Sequence, residues 1–207
     1  MIRHEVTYDK NYEIKSFKEY SNGDLVKEEQ FNDNGDQDVV YREWYKNGIL
    51  ISEEHFNKIG QPHGTYRRWY ENGQLRIEVN YVNGYREGVC REWHDNGQLM
   101  IKSNFIHDRK DGIYREWHHD GTLFCETIYH HGREHGVYHL FHDNGQLWIE
   151  KTYKHGDRHG ESYQWYKNGQ LWVESNYVDD KRHGIYRQWD INGNLCLEET
   201  YKDGKLI

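Results

Sequence analysis

Apolar and polar residues alternate in short runs that recur along the chain. In TYRRWYENGQLRIEVNYVNG (residues 65–84), Trp69, Leu75, Ile77, Val79 and Tyr81 stand apart from one another, separated by charged and amide residues. A period of two marks a strand with one face turned inward. Asn72-Gly73 interrupts the run, and Asn-Gly between alternating segments is the strongest short-range hairpin signal. A two-residue loop would set Trp69 opposite Arg76. A three-residue loop Glu71-Asn72-Gly73, a type I turn closed by a left-handed glycine, sets Trp69 opposite Leu75. The second register is the one predicted, with Trp69, Leu75, Ile77 and Val79 on one face and Arg76, Glu78 and Asn80 on the other. A slip of one residue would invert every side chain beyond it.

The same phrase returns at a fixed interval. Glycines fall at 64, 88, 112, 136, 160 and 184, in steps of 24. The turn glycines Gly73, Gly97, Gly121, Gly145, Gly169 and Gly193 keep the same step, and Gly48 precedes them by 25. Four residues before each turn glycine stands Trp44, Trp69, Trp93, Trp117, Phe141, Trp165 or Trp189. Two residues after it, from Gly73 onward, stands Leu75, Leu99, Leu123, Leu147, Leu171 or Leu195. An aromatic then closes the unit, as Tyr81 does. A worn copy, FKEYSNGDL at 17–25 followed by Phe31, brings the count to about eight. Asn-Gly occurs nine times, and Asp120-Gly121 and Asp203-Gly204 substitute for it.

The predicted fold is all-β: an elongated single-layer antiparallel sheet, a β-hairpin repeat solenoid or ribbon of about eight 24-residue repeats. Residues 1–16 read as an N-terminal segment that supplies a capping strand, and residues 17–207 as the repeat array, strictly periodic from Gly64. At about 4.8 Å per strand, eight two-strand repeats would extend roughly 75–80 Å. No hairpin is stable alone, so stability must accumulate between neighbours. The Trp/Phe and Leu columns are the expected core seam.

YKHGDRHG at 153–160, HHGREHG at 130–136 and YVNGYREG at 81–88 resemble the MORN repeat, which opens on an aromatic, a turn ending in glycine and a second glycine shortly after. The phrase W-Y-x-N-G-Q-L is similar to the MORN variant found in proteins labelled YwqK-family antitoxins. The resemblance spans residues 17–207. One departure stands out: Cys90, Tyr114, Tyr138, Ser162 and Tyr186 occupy the place of the usual second glycine of G-x-G. The resemblance implies a twisted antiparallel sheet acting as a scaffold for a protein partner. It leaves two alternatives, an antitoxin that neutralises a cognate toxin by direct binding, and peripheral attachment to a membrane.

Composition narrows the function further. With eight Trp and eighteen Tyr but a formal charge of −8, the chain lacks the basic footprint of a nucleic-acid binder. The same charge disfavours membrane attachment at neutral pH. Protonation of most of the fifteen histidines would turn the charge positive and ease it. MIRHEVTYDK lacks a signal-peptide core, no segment is a transmembrane span, and Cys90, Cys125 and Cys196 show no paired spacing. A cytoplasmic location is expected.

Catalytic fingerprints are missing: there is no G-x-S-x-G and no phosphate-cradling G-x-x-x-x-G-K. Glu78, Glu126, Glu150, Glu174 and Glu198 form one periodic column, which reads as a solvated face paired with Arg or Lys. A non-enzymatic role without cofactor is expected. His63, His135, His159 and His183 form another column, with neighbours about 9.6 Å apart by strand spacing, too far to share one ion. HGREH at 131–135 and HGDRH at 155–159 lie in turns, so their i, i+4 spacing does not bring ligands together, and no metal site is expected. Function is therefore sought where the copies differ, at the exposed aromatics Phe124, Trp148 and Trp172. The ending KDGKLI carries no cap, which suggests self-association through a sheet edge.

Overall fold

A computed structural model describes residues 1–31 and 39–207, so the dipeptide Asn34-Gly35 lies outside the described residues. The chain is all-β. Twenty-two strands are formed among the described residues, and they pair antiparallel with strands close in sequence. No helix among the described residues is long and apolar enough to cross a membrane.

Two compact units divide the chain. The first comprises residues 1–99 with 105–108, and the second residues 100–104 with 109–207. In the first, the strand Ile2–Tyr8 pairs with Ile14–Ser21, which pairs in turn with Asp24–Gln30. Val39–Trp44 with Leu50–Phe56 and Gly64–Trp69 with Leu75–Val82 then form successive hairpins. In the second, Gly112–Trp117 pairs with Leu123–His130, Gly136–Phe141 with Leu147–Lys154, Asp157–Trp165 with Leu171–Val178, and Gly184–Trp189 with Leu195–Lys202.

Each repeat uses two kinds of turn. At the first, Tyr70 donates its N–H to the Gln74 carbonyl at 2.8 Å and Gly73 donates to Tyr70 at 2.9 Å. Glu71-Asn72-Gly73 is therefore the loop, with Gly73 at φ +86°. That left-handed closing residue is why glycine recurs there. The second turn is a two-residue loop in which Asn83 (φ +50°) and Gly84 (φ +89°) are both left-handed, the primed geometry that matches strand twist. The worn copy keeps the aromatic–leucine pair with a shorter loop: Tyr20 faces Leu25 across Asn22-Gly23.

The faces differ from expectation. Trp69 pairs with Leu75, but Arg68 then pairs with Ile77, so Arg76 is left over. This extra residue, a β-bulge, inverts the alternation beyond it. Ile77, Val79 and Tyr81 consequently share a face with Tyr66 and Arg68, while Trp69 and Leu75 stand on the face of Arg67 and Glu78. The buried column is the first of these. In the first unit Val79 (2% exposed), Cys90 and Phe105 form a cluster against which Tyr66, Ile77 and Tyr81 pack. In the second unit Cys125, Thr127, Leu140, Ser162, Val173 and Ser175 are buried.

Short side chains in this column sit beside tyrosine pairs that meet edge to face, Tyr66 with Tyr81, Tyr114 with Tyr129, Tyr138 with Tyr153 and Tyr186 with Tyr201. Burial raises the Tyr138 hydroxyl to about 12. The columns expected as the seam are half-buried instead: Trp44, Trp69, Trp93, Trp117, Phe141, Trp165 and Trp189, with Leu75, Leu99, Leu123, Leu147 and Leu171. Leu195 is exposed.

Burial also separates the cysteines. Cys90 and Cys125 are buried and Cys196 is exposed. Desolvation pushes the Cys125 thiol up to about 11, which suppresses its reactive thiolate. Iodoacetamide should therefore label Cys196 first in the native protein, with Cys125 labelled only after denaturation. Peptide mass spectrometry showing equal native labelling of Cys125 would contradict this packing.

Candidate functional site

The bulge that displaces the tryptophan column also builds a site. In three consecutive hairpins of the second unit the leftover residue is aromatic. Glu116 pairs with Cys125 and Trp117 with Leu123, leaving Phe124. Leu140 pairs with Ile149 and Phe141 with Leu147, leaving Trp148. Gln164 pairs with Val173 and Trp165 with Leu171, leaving Trp172. A residue without a cross-strand partner is free to be re-aimed. Each of these rings packs on the residue that opens its own turn. Phe124 meets His118 with centroids 4.9 Å apart, Trp148 stacks on His142 at 5.3 Å, and Trp172 meets Tyr166 at 5.5 Å.

The turn-opening residues are themselves fixed by the next repeat. His142 Nε2 lies 3.0 Å from the Trp165 carbonyl, and the Tyr166 hydroxyl donates to the Trp189 carbonyl at 3.0 Å. Two rows of rings, held one repeat apart, thus line a cavity of about 470 Å³. Phe141 and Trp165 contribute to its wall, and Asp143 and Lys167, paired at 2.8 Å, also line it. Trp148 remains 37% exposed. In the first unit the corresponding leftover residues are Val26, Ile51 and Arg76, none of them aromatic, and the Arg76 guanidinium lies over Tyr70 at 5.5 Å. The aromatic substitution is therefore what converts an ordinary bulge into a pocket.

The face that bears the Trp/Phe column also carries a ladder of charge. In the first unit Arg42 joins Glu28 and Glu53, Arg67 joins Glu53 and Glu78, and Arg91 joins Glu78. Burial opposes ionisation of Glu53, but the Arg42 hydrogen bond and charge outweigh it and hold the carboxyl below its ordinary range. In the second unit Arg115 bonds Glu126, His139 lies 3.0 Å from Glu150, and Arg187 bridges Glu174 and Glu198. The glutamate column is thus paired. It is also half-buried, except at Glu198.

Of the sequence-derived residues, Phe124, Trp148 and Trp172 are brought together. Their stacking partners His118, His142 and Tyr166 were missed, although each directly follows a member of the Trp/Phe column. The histidine column makes repeat-to-repeat contacts: Asn83 donates its N–H to His63, while His159 and His183 face Asp179 and Asp203. A second grouping crosses columns, with Asp111, His130 and His131 converging at one edge of the second unit. The signal for it was the dipeptide His130-His131, read only as part of a turn.

Comparison with known proteins agrees with the repeat geometry. The family described as the MORN repeat variant matches residues 37–58, 62–83, 86–107, 134–155, 158–179 and 182–203. Among curated proteins none matches. One chain of "Crystal Structure of TcdB2-TccC3-TEV" is similar over 99% of this chain and 14% of its own length, at 10% identity and a TM-score of 0.27. This chain therefore spans a small part of that one, and the likeness carries no argument about fold or role.

Proposed function

This chain belongs to the MORN repeat variant family, and from that premise we propose that it is a non-enzymatic scaffold whose aromatic pocket binds a partner protein. The observation that carries the reading is the convergence of Phe124, Trp148 and Trp172 on one cavity. Tryptophan and tyrosine held in well-packed, concave surroundings are the side chains that dominate binding energy at protein interfaces. Each ring already packs on the turn-opening residue of its own hairpin, which reduces the rotamer entropy lost on binding. A cavity of about 470 Å³ accommodates one or two apolar side chains of a partner segment. Proline-rich and aromatic segments suit such a wall, because aromatic-lined grooves recognise them.

The test is affinity purification from the native source with three baits: the natural chain, Trp148→Ala and Arg76→Ala. Truncating an interface anchor typically costs about 2 kcal/mol or more, roughly thirtyfold in affinity. Trp148→Ala should lose the protein that co-purifies with the natural chain, while Arg76→Ala retains it. Equal recovery by Trp148→Ala would remove the pocket from the binding surface.

A further inference from the structure

Outside the pocket, the second unit gathers three metal-ligating side chains. The Asp111 Oδ2 lies 3.6 Å from His130 Nδ1 and 3.6 Å from His131 Nδ1. The ligand atoms of all three residues lie within 4.8 Å of one another. Two atoms bonded to one tetrahedral zinc ion at about 2.0–2.1 Å stand about 3.4 Å apart. We propose that Asp111, His130 and His131 form a binding site for a divalent transition-metal ion of the imidazole-preferring class, with Zn²⁺ as its probe.

Part of this arrangement is ordinary repeat architecture. Asp111 Oδ2 accepts the His131 N–H at 2.9 Å, just as Glu87 Oε2 accepts the His107 N–H at 2.9 Å one repeat earlier. What differs is the third group. The place of His130 is taken by Val82, Ile106, Lys154, Val178 and Lys202 in other copies. An acidic residue before the repeat glycine and two consecutive histidines at the following turn coincide in this copy alone among those from Gly64 onward. Adjacent histidines at the start of a two-residue turn then present both rings together, their centroids 4.1 Å apart.

The groups are held before any ion arrives. Asp111 donates its N–H to the Asn104 carbonyl at 2.9 Å, and its own carbonyl accepts from Asn104 Nδ2 at 2.9 Å. His131 is fixed at φ +50° by the turn. The two imidazoles are exposed, so an ion has open access, and water can complete the shell. His135 stands beside the site, its ring centroid 6.0 Å from that of His130. Two imidazoles and a carboxylate suit Zn²⁺, Ni²⁺ or Cu²⁺ better than Mg²⁺ or Ca²⁺, which favour oxygen ligands. The expectation of no metal site rested on the spacing within a single column, whereas these ligands come from three different columns.

Calorimetric titration of the full chain with Zn²⁺ tests the site. His131→Asn and His130→Val are the informative variants, because Asn83 and Val82 occupy the same positions in another repeat and preserve the turn. One equivalent should bind with micromolar or tighter affinity, and each variant should weaken it at least about tenfold. His107→Asn, the same turn one repeat earlier, should leave binding unchanged. Absence of stoichiometric binding up to about 100 µM, or undiminished binding by the His130→Val, His131→Asn double variant, would overturn the assignment.

Discussion

Phe105→Ala should destabilise the first unit by about 3–4 kcal/mol, the largest loss expected from a single truncation in this chain. Phe105 is 5% exposed and packs with Val79 and Cys90. Its ring also carries the Arg86 guanidinium at 4.1 Å, and Arg86 in turn holds Asp108 through its Nε at 2.9 Å. That bond, with the Arg86 backbone N–H, keeps the Asp108 carboxyl below its ordinary range. Removing the ring therefore opens a cavity and releases the clamp on a turn whose two residues, His107 and Asp108, both adopt positive φ without glycine. For a chain of this size the melting temperature should fall by about 6–16 °C. Phe105→Tyr is the matching control, because Tyr81, Tyr129, Tyr153, Tyr177 and Tyr201 occupy the equivalent position. A fall of less than 2 °C for Phe105→Ala would show that the buried face does not hold the unit together.

Gly160→Val should cost about 3 kcal/mol, through backbone strain of roughly 1–3 kcal/mol plus steric crowding. Among the described residues, non-glycine residues with positive φ lie between Asp179 at +49° and Tyr12 at +66°, whereas Gly160 sits at +109°. That conformation is well outside the left-handed well near +57°. A Cβ at Gly160 would also meet the Thr152 Cβ at 3.4 Å, and the branches of valine would crowd it further. Gly145 is the comparison: its φ is +80° and an added Cβ meets nothing within 4 Å. Gly145→Ala should cost about 1–2 kcal/mol. Urea unfolding of the two variants measures the difference, and an equal loss for both would refute the distinction between the two glycine columns.

The register slip shows why the faces escaped a reading of alternation. Between the first turn and the strands there is a conflict. The three-residue loop sets Trp69 opposite Leu75, and continuing that register would put Arg67 opposite Ile77 and Tyr66 opposite Glu78. Dropping Arg76 from the ladder instead joins Arg67 to Glu78 at 2.8 Å and sets Tyr66 beside Val79. Charge meets charge and ring meets aliphatic, at the cost of one unpaired residue. Alternation alone could not reveal this, since Leu75, Ile77 and Val79 keep a period of two through the bulge.

The copy between residues 108 and 133 carries the same lesson. The family pattern skips it, yet Gly112–Trp117 and Leu123–His130 pair in the register of their neighbours. Departures from the repeat there, including Asp111, Phe124, His130 and His131, leave the hairpin intact and change only what projects from it. Phe124 stands out in the sequence because it is aromatic and irregular. The Asp111–His130–His131 group did not, because its members are not neighbours in any one column.

By itself the sequence determined the period, the two turns of each repeat and the antiparallel hairpins, since these depend on left-handed glycines and on contacts within a few residues. Only the tertiary structure decided which face is buried, which residue each hairpin leaves unpaired, and which side chains from successive repeats meet. Those outcomes depend on cross-strand pairing energies and on packing between copies, where a slip of one residue exchanges the two faces of the sheet.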